Sequence, residues 1–352
     1  MTQAEDDRIG QSLDLRRLRK GVLVAVAIGV TAGVGVAVAI DGPAVLAGIR
    51  RLPFSWALAA LALSVLSWLG QGIGFAALTA EGIRGNIVRM TRAFLGGDFP
   101  ALVTPFGSGG IPGGVFCLIR EGLSAGEASA VIAMHSLLTG GFFVLVGLVA
   151  AFALPIHSAS SSALVWAGFA GVLAAVGGIV WVVLNPQRAT HWLDGVLSSG
   201  LVRRVIGVQR AGRIMLAAER EAGEFTLSVR ALMNERPGAV ALSFASLCSS
   251  RILLIATLLV IMYGLGWRGN IVPLVATAIG AMVLSIASPI PGGSGAVEAA
   301  LTALLATQTS APLAAAAALL WRGITYYAEL FTGWAVFAHY LVAKPRPGPK
   351  RL

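Results

Sequence analysis

The stretch 288-SPIPGGSGAVEAALTALL-305 interrupts a region of the chain that is otherwise almost continuously apolar. It contains two prolines, three glycines and Glu298. Proline breaks helices, and a charged side chain is costly in hydrocarbon. Irregular backbone at membrane depth is tolerated only where it is buried in protein or lines a water-filled cavity. The stretch therefore predicts a broken helix at a polar site inside a membrane protein.

The composition of the chain agrees with a membrane location. Of the 352 residues, 57% are hydrophobic and 12% are charged, and the mean hydropathy is +0.82. A soluble domain has about 25% charged residues. Several apolar runs of about 20 residues are long enough to cross roughly 30 Å of hydrocarbon. We therefore expect an all-α polytopic membrane protein in the cell membrane.

Charge and residue types exclude several other classes of function. The net charge of +10 is explained by basic residues on cytoplasmic loops, so no nucleic-acid partner is expected. The four histidines are scattered and the two cysteines stand alone, so we expect no metal site. The glycine turns lack the lysine of a P-loop, and no cofactor is expected. No long polar segment is present that would fold into a soluble catalytic domain.

The apolar pattern predicts about six transmembrane helices and two re-entrant broken hairpins. Between the first two spans we expect a short loop that contains Pro43, Arg50, Arg51 and Pro53. The predicted parts are a cytoplasmic tail 1–20, a first membrane half 21–184 with a re-entrant segment 93–120, a basic cytoplasmic linker 185–237, a second membrane half 238–342 with a re-entrant segment 270–308, and a basic cytoplasmic tail 343–352.

Charge decides the orientation of these segments. The linker has eight arginines against five acids, and the tail 344-KPRPGPKRL-352 has four positive residues and no acid. Short cytoplasmic loops are enriched in Lys and Arg. If the first broken segment enters and leaves on the cytoplasmic side and the second on the opposite side, both termini and the linker lie in the cytoplasm. Only Arg50 and Arg51 then depart from the enrichment of positive residues in cytoplasmic loops.

The same arrangement contains an internal repeat. Span, broken hairpin and span occur over about 54–153 and again over about 238–342. The breaks are also similar, with 104-TPFGSGG-110 matching 288-SPIPGGSG-295. The two halves would have opposite orientation, and inverted repeats with broken helices near the midplane are a common transporter plan.

Three motifs together resemble a known family. They are 289-PIPGGSGAVEAAL-301, 104-TPFGSGGIPGGVFCLIREGLS-124 and Arg322 within 319-LLWRGITYY-327. The chain resembles the lysylphosphatidylglycerol synthase transmembrane family, also called the flippase-like domain family, over roughly residues 20–342. The resemblance implies movement of a lipid between leaflets without aminoacyl transfer, and it leaves the lipid open because relatives are linked to several lipids. His135 stands where the resemblance leads us to expect an arginine.

Charged and glycine residues near mid-depth are the candidate substrate-binding residues. Arg322 offers a guanidinium fork that suits a lipid phosphate, although it could also form an ion pair that only fixes packing. Glu298 is either a helix-dipole carboxylate or a partner that releases Arg322 when phosphate arrives. The glycine turns either present N–H groups to an anion or allow close packing. The full candidate set is Arg322, Glu298, Gly292, Gly293, Gly295, Thr104, Gly107, Gly109, Gly110, Tyr326, His135, Asp98, Arg251 and Glu329.

These features lead to the hypothesis of a lipid translocator rather than an enzyme. An anionic or aminoacylated phospholipid would bind at a polar midplane site, with Glu298 and His135 as titratable groups for coupling to an ion or proton gradient. One alternative is a membrane-embedded transferase, for which Asp98 and Glu121 are the candidate acids. A second alternative is an accessory subunit in envelope-lipid or lipid-linked glycan synthesis. A lipid-modifying enzyme partner and an oligomer are compatible with each hypothesis.

Overall fold

The computed structural model describes residues 40–79, 87–153 and 225–346, with isolated positions between 31 and 188. The N-terminal tail 1–20, nearly all of the predicted first span and of the span 162–184, most of the basic linker and residues 347–352 lie outside the described residues. The helices are α1 Gly42–Arg51, α2 Phe54–Leu78, α3 Ile87–Leu102, α4 Gly110–Arg120, α5 Ala125–Ala153, α6 Pro237–Gly264, α7 Ile271–Ala287, α8 Ala296–Ala306, α9 Ala311–Arg322 and α10 Ala328–Val342.

The prediction of an all-helical membrane protein is confirmed for the described residues. Within the described part of the chain, three helices are long and apolar enough to cross a membrane, namely α2, the stretch Ala125–Gly147 of α5, and α6. The loop expected around Pro43 is wrong, because α1 forms there. The Asp41 side chain accepts a hydrogen bond from the N–H of Ala44 at 3.1 Å, and Pro43 lies at the start of the helix, where it needs no N–H partner.

Helices α2 and α6 form an extensive close contact. Small residues line the contact, since Gly70 faces Ser246 and Ser250 while Gly74 faces Ser243. At the far end of the pair, Gly264 lies beside Leu52 and Trp56. Because residue numbers in α6 rise as those of their partners in α2 fall, the two helices are antiparallel. Close approach through Gly and Ser is typical of helix pairs in membranes.

Both predicted breaks are present, and each divides a segment into two helices. Helices α3 and α4 form the first hairpin around a short 3₁₀ turn, Pro105–Gly107. Helices α7 and α8 form the second hairpin around Pro291–Gly293. The proline in each turn begins a new helical segment without needing a backbone N–H.

The bases of the two hairpins lie at opposite ends of the α2–α6 pair. At the first base, Arg89 lies in a pocket wall with Thr79 at the end of α2 and Arg236 before α6. The Arg236 guanidinium donates to the carbonyl of Thr79 at 2.8 Å. The second base begins directly after α6, where Trp267 Nε1 donates to the carbonyl of Gln308 at 3.3 Å. The two hairpins therefore extend toward each other from opposite ends.

The arms of the first hairpin cross at glycines, which gives a test of the packing. A Cβ atom on Gly97 would lie 2.6 Å from Gly114 Cα, whereas a Cβ on Gly280 in α7 would meet no atom within 4 Å. We expect Gly97→Ala to lower the free energy of unfolding by about 1–3 kcal/mol through overpacking. Gly280→Ala is the matched control and should cost nothing. The thermal midpoint in detergent measures both, and equal midpoints would contradict the close crossing.

Candidate functional site

The tips of the two hairpins meet in the middle of the structure. The N–H of Phe106 donates to the carbonyl of Ser288 at 3.2 Å. The two turns also share an unusual backbone, because Phe106 has φ 54 and ψ 20 and Gly292 has φ 58 and ψ 13. The residues that follow, Gly107 and Gly293, have φ of 64 and 65. These backbone angles align the two turns residue by residue, so that 105-PFGSG-109 corresponds to 291-PGGSG-295.

Arg322 is held at the second tip by three groups. Its Nε atom donates to Glu298 Oε1 at 2.9 Å, and its Nη2 atom donates to the carbonyl of Gly292 at 2.8 Å. The guanidinium lies 3.9 Å from the ring centre of Tyr326, which is cation–π distance. Only a glycine fits at Gly292, because a Cβ there would clash with the Tyr326 ring. Arg322 and Glu298 are 3% and 0% exposed, so the ion pair is buried.

Glu298 has a second role at the start of α8. Its Oε2 atom accepts a hydrogen bond from the N–H of Gly295 at 2.7 Å. The helix-start position and the Arg322 pairing expected of Glu298 are therefore both present in one carboxylate, and its release of Arg322 on phosphate binding stays a prediction. It caps a half-helix N-terminus, and it neutralises Arg322.

A cavity of about 410 Å³ opens beside the meeting tips. Of the predicted site residues, nine line it, which are Asp98, Gly107, Gly110, His135, Arg251, Gly292, Arg322, Tyr326 and Glu329. The other five predicted site residues are not part of the cavity lining, and they are Thr104, Gly109, Gly293, Gly295 and Glu298. A five-residue π-helical turn, Gly323–Tyr327, follows Arg322 in the chain, and Glu329 beyond this turn also lines the cavity. Such turns are frequent at functional sites.

A second charged cluster lies on the same cavity wall. The carboxyl groups of Asp98 and Glu329 lie close enough to interact with each other, and both interact electrostatically with Arg251. These three residues come from α3, α10 and α6, so the cluster joins the first hairpin to two other helices. The Nε atom of Arg251 is buried and has no hydrogen-bond partner. This nitrogen is therefore a donor available to a ligand in the cavity.

Four of the six turn glycines do not offer the N–H groups that the sequence led us to expect. The N–H groups of Gly107 and Gly293 donate to carbonyls within their own turns. Gly109 donates to Thr104 Oγ1 at 2.8 Å, and Gly295 donates to Glu298. These four donors stabilise the breaks instead of facing a ligand. Thr104 accordingly holds the turn, and the arginines supply the donors at the cavity wall.

Three polar residues of the cavity were missed by sequence reasoning. Gln71 Oε1 and Ser250 Oγ are buried without a hydrogen-bond partner, the Trp68 indole interacts with the Glu329 carboxyl group, and all three residues line the cavity. They lie in long apolar helices, and in such a sequence a single polar residue cannot be distinguished from one that only packs against a neighbouring helix. The i, i+3 spacing of Trp68 and Gln71 places both on one helix face, and that spacing is the signal that could have found them.

Glu121 anchors the structure away from the cavity. Its carboxylate accepts from the Tyr340 hydroxyl at 2.7 Å and pairs with Arg89 at 2.9 Å and Arg346 at 3.4 Å. Arg120 donates beside it to the carbonyl of Tyr340 at 2.8 Å. These contacts fasten the base of the first hairpin to the end of α10. Among the described residues, no group of three or more His, Cys, Asp or Glu side chains has the arrangement of a metal site.

Comparison with known proteins gives one match. The sequence model of a family described as "Lysylphosphatidylglycerol synthase TM region" matches residues 22–333. The matched range includes both hairpins, Arg251, Arg322 and Glu329. No curated protein and no solved structure matches the chain.

Proposed function

The chain belongs to the lysylphosphatidylglycerol synthase transmembrane family, a family of membrane proteins linked to phospholipid handling, and from this premise we propose that it moves an anionic lipid between membrane leaflets. The observation that supports this proposal best is the cavity at the meeting hairpin tips, with Arg251 and Arg322 in one wall. Guanidinium groups bind phosphate through paired N–H donors. Two of them in a partly apolar cavity suit a phosphodiester headgroup whose acyl chains remain in lipid.

Arg251 and Arg322 have different parts in this proposal. Arg251 has a buried Nε without a partner, so it is the first contact for an entering phosphate. Arg322 is neutralised by Glu298, and its ion pair opens when the phosphate replaces the carboxylate. Exchange of one anion for another keeps Arg322 paired throughout, and the displaced Glu298 carboxylate keeps its hydrogen bond from the Gly295 N–H. Arg322 therefore avoids the cost of a buried arginine without a counterion, which is about 3–5 kcal/mol.

The arrangement of the hairpins supports alternating access to the cavity. In this proposal each hairpin is re-entrant, and the two halves of the chain form an inverted repeat that rocks around the site. The contact between Phe106 and Ser288 would be remade during rocking, because it joins one half to the other. The base of the first hairpin, which holds Arg89, Arg92 and Arg120, would face the cytoplasm of a cell membrane by the distribution of positive charge.

Reconstitution tests the proposed function directly. The purified chain would be placed in liposomes with trace acyl-labelled phosphatidylglycerol, phosphatidylethanolamine or lysyl-phosphatidylglycerol. The label in the outer leaflet would be destroyed by an impermeant reductant. We expect the protein to raise the rate of exchange for an anionic lipid above that of protein-free vesicles. Exchange equal to that of protein-free vesicles for every lipid, with folded protein, would contradict translocation and favour an accessory role. Covalent change in the recovered lipid would favour a transferase.

Arg251→Ala adds a test of the cavity. We expect it to slow exchange of phosphatidylglycerol at least about tenfold, because it removes a charged hydrogen-bond donor worth about 1.5–3 kcal/mol. Arg268→Ala is the matched control, since that guanidinium bonds to the Tyr263 carbonyl at 2.9 Å and lies outside the cavity lining. Equal rates in the two variants would exclude Arg251 from the lipid site.

A further inference from the structure

We infer that the Asp98 and Glu329 carboxyl groups bind a proton that moves together with the anionic lipid, in the same direction. This inference rests on the proposed translocation and adds its source of energy. It also assigns the titratable site to residues other than Glu298 and His135. Glu298 is fully buried in its pair with Arg322 and behind the cavity wall, so it is the less accessible group.

The charges that line this part of the cavity do not balance without a proton. Asp98 and Glu329 place two carboxyl groups beside the single guanidinium of Arg251 in one cavity wall. With one bound proton, the cluster consists of one carboxylic acid, one carboxylate and one guanidinium, and its net charge is zero. A second ionised carboxylate would leave an unpaired negative charge next to another, which is unfavourable at a half-buried site.

The other charged groups around the pair are few and identifiable. Helix α6 contributes Arg251, and α5 contributes His135, whose ring interacts electrostatically with Arg251. The segment from α9 into the π turn contributes Arg322 and Tyr326, and Arg322 is neutralised by Glu298. The parts of α2, α4 and α7 that line the cavity hold no titratable side chain. The charge of the pair is therefore set chiefly by Arg251.

The second, independent observation is the polar lining beside the pair. Gln71 and Ser250 are 2% and 1% exposed, and each has a buried polar atom without a partner in the same cavity. Buried polar groups are normally satisfied by protein or by ordered water. This lining therefore favours water next to the carboxyl pair, and water provides the route by which a proton reaches it.

Charge balance couples this proton site to the lipid. When a phosphodiester with one negative charge binds Arg251, the guanidinium no longer neutralises the remaining carboxylate. That carboxylate takes up one proton from water and becomes a carboxylic acid, so the cluster is neutral again. When the lipid leaves in the other leaflet, Arg251 returns to the pair and one proton is released there. One proton thus accompanies one lipid anion, and the cycle moves no net charge.

The test is a transmembrane pH gradient across liposomes of neutral lipid with trace labelled phosphatidylglycerol, at a potential clamped to zero. We expect the label to accumulate in the leaflet on the alkaline side, by up to about tenfold per pH unit for one proton per lipid. Reversal of the gradient should reverse the accumulation. Protein-free vesicles and an equal gradient of sodium at constant pH are the controls.

The outcomes separate this inference from the proposed function. Exchange that reaches equal leaflet distribution under every pH gradient overturns proton coupling and leaves translocation in place. Accumulation that follows sodium also overturns it. Absence of exchange contradicts translocation itself. The proton site is then tested by measuring whether lipid binding to the protein is accompanied by proton uptake. For this, calorimetric titration with short-chain phosphatidylglycerol in buffers of different ionisation enthalpy should show uptake of about one proton per lipid bound.

The double variant Asp98→Asn with Glu329→Gln identifies the residues. Both changes preserve side-chain shape and remove the ability to ionise. We expect no accumulation under a pH gradient and no proton uptake on binding. Glu127→Gln is the contrast, because Glu127 lies outside the cavity lining and its loss should leave proton uptake on binding unchanged. If the double variant does not fold, the single variant Glu329→Gln is measured by the same titration. Uptake that persists in a folded variant overturns the assignment.

Discussion

Arg322→Ala is expected to reduce lipid exchange in liposomes by at least about 30-fold relative to the unsubstituted chain. Removing one partner of a buried, hydrogen-bonded charge pair costs about 2–5 kcal/mol, and 2 kcal/mol corresponds to about 30-fold in rate. The loss has two sources, because the lipid loses its guanidinium contact and Gly292 at the second tip loses the donor that holds its carbonyl. The rate of exchange of labelled phosphatidylglycerol measures the effect.

Arg322→Lys is the discriminating companion of that variant. Lysine keeps the positive charge near Glu298, but it lacks the planar fork that contacts Glu298 and Gly292 together. We expect exchange between that of Arg322→Ala and that of the unsubstituted chain, with a thermal midpoint close to the latter. Arg268→Ala again controls for loss of a guanidinium outside the cavity lining. Unchanged exchange in folded Arg322→Ala would make Arg322 a structural charge and would remove it from the proposed site.

The helices and their breaks were predictable because their signals are local. Apolar runs predicted membrane spans in the regions where α2, α5 and α6 form. Proline next to paired glycines predicted the two turns, since these residues end helices and allow the positive φ values found there. The loop expected at α1 was wrong because Asp41 and Pro43 form a helix start, which a search for long apolar runs does not detect.

The cavity was predictable only in part, because it depends on contacts between distant segments. Arg322 and Glu298 attracted attention as charges in apolar sequence, and their pairing follows from that cost. Asp98 and Glu329 lie far apart in the chain, and their contact exists only because α3 packs against α10. The glycine N–H groups show the opposite case. Glycine predicts a turn well, but the sequence does not show that the turn uses its own donors.

Glu298→Ala is expected to lower the free energy of unfolding by about 3–5 kcal/mol. It leaves the Arg322 charge buried without a counterion, which is the strongly destabilising case for a buried ion pair. It also removes the acceptor for the Gly295 N–H at the start of α8. The thermal midpoint in detergent measures the loss. The control is Glu127→Ala, since Glu127 also accepts a backbone N–H near a helix start, from Ser124 at 3.0 Å, but pairs with no buried arginine.

The double variant Glu298→Gln with Arg322→Met separates stability from lipid binding. Replacing both partners of a buried ion pair by uncharged groups is often neutral for stability, whereas removing one partner is costly. The introduced glutamine can still accept from the Gly295 N–H, and the introduced methionine fills the space of the arginine stem. We therefore expect the double variant to recover a thermal midpoint close to that of the unsubstituted chain, while its lipid exchange stays as low as in Arg322→Ala. Recovery of both would mean that the ion pair only holds the second hairpin in place. Recovery of neither would mean that the Arg322 contacts with Gly292 and Tyr326 are needed to form the tip at all.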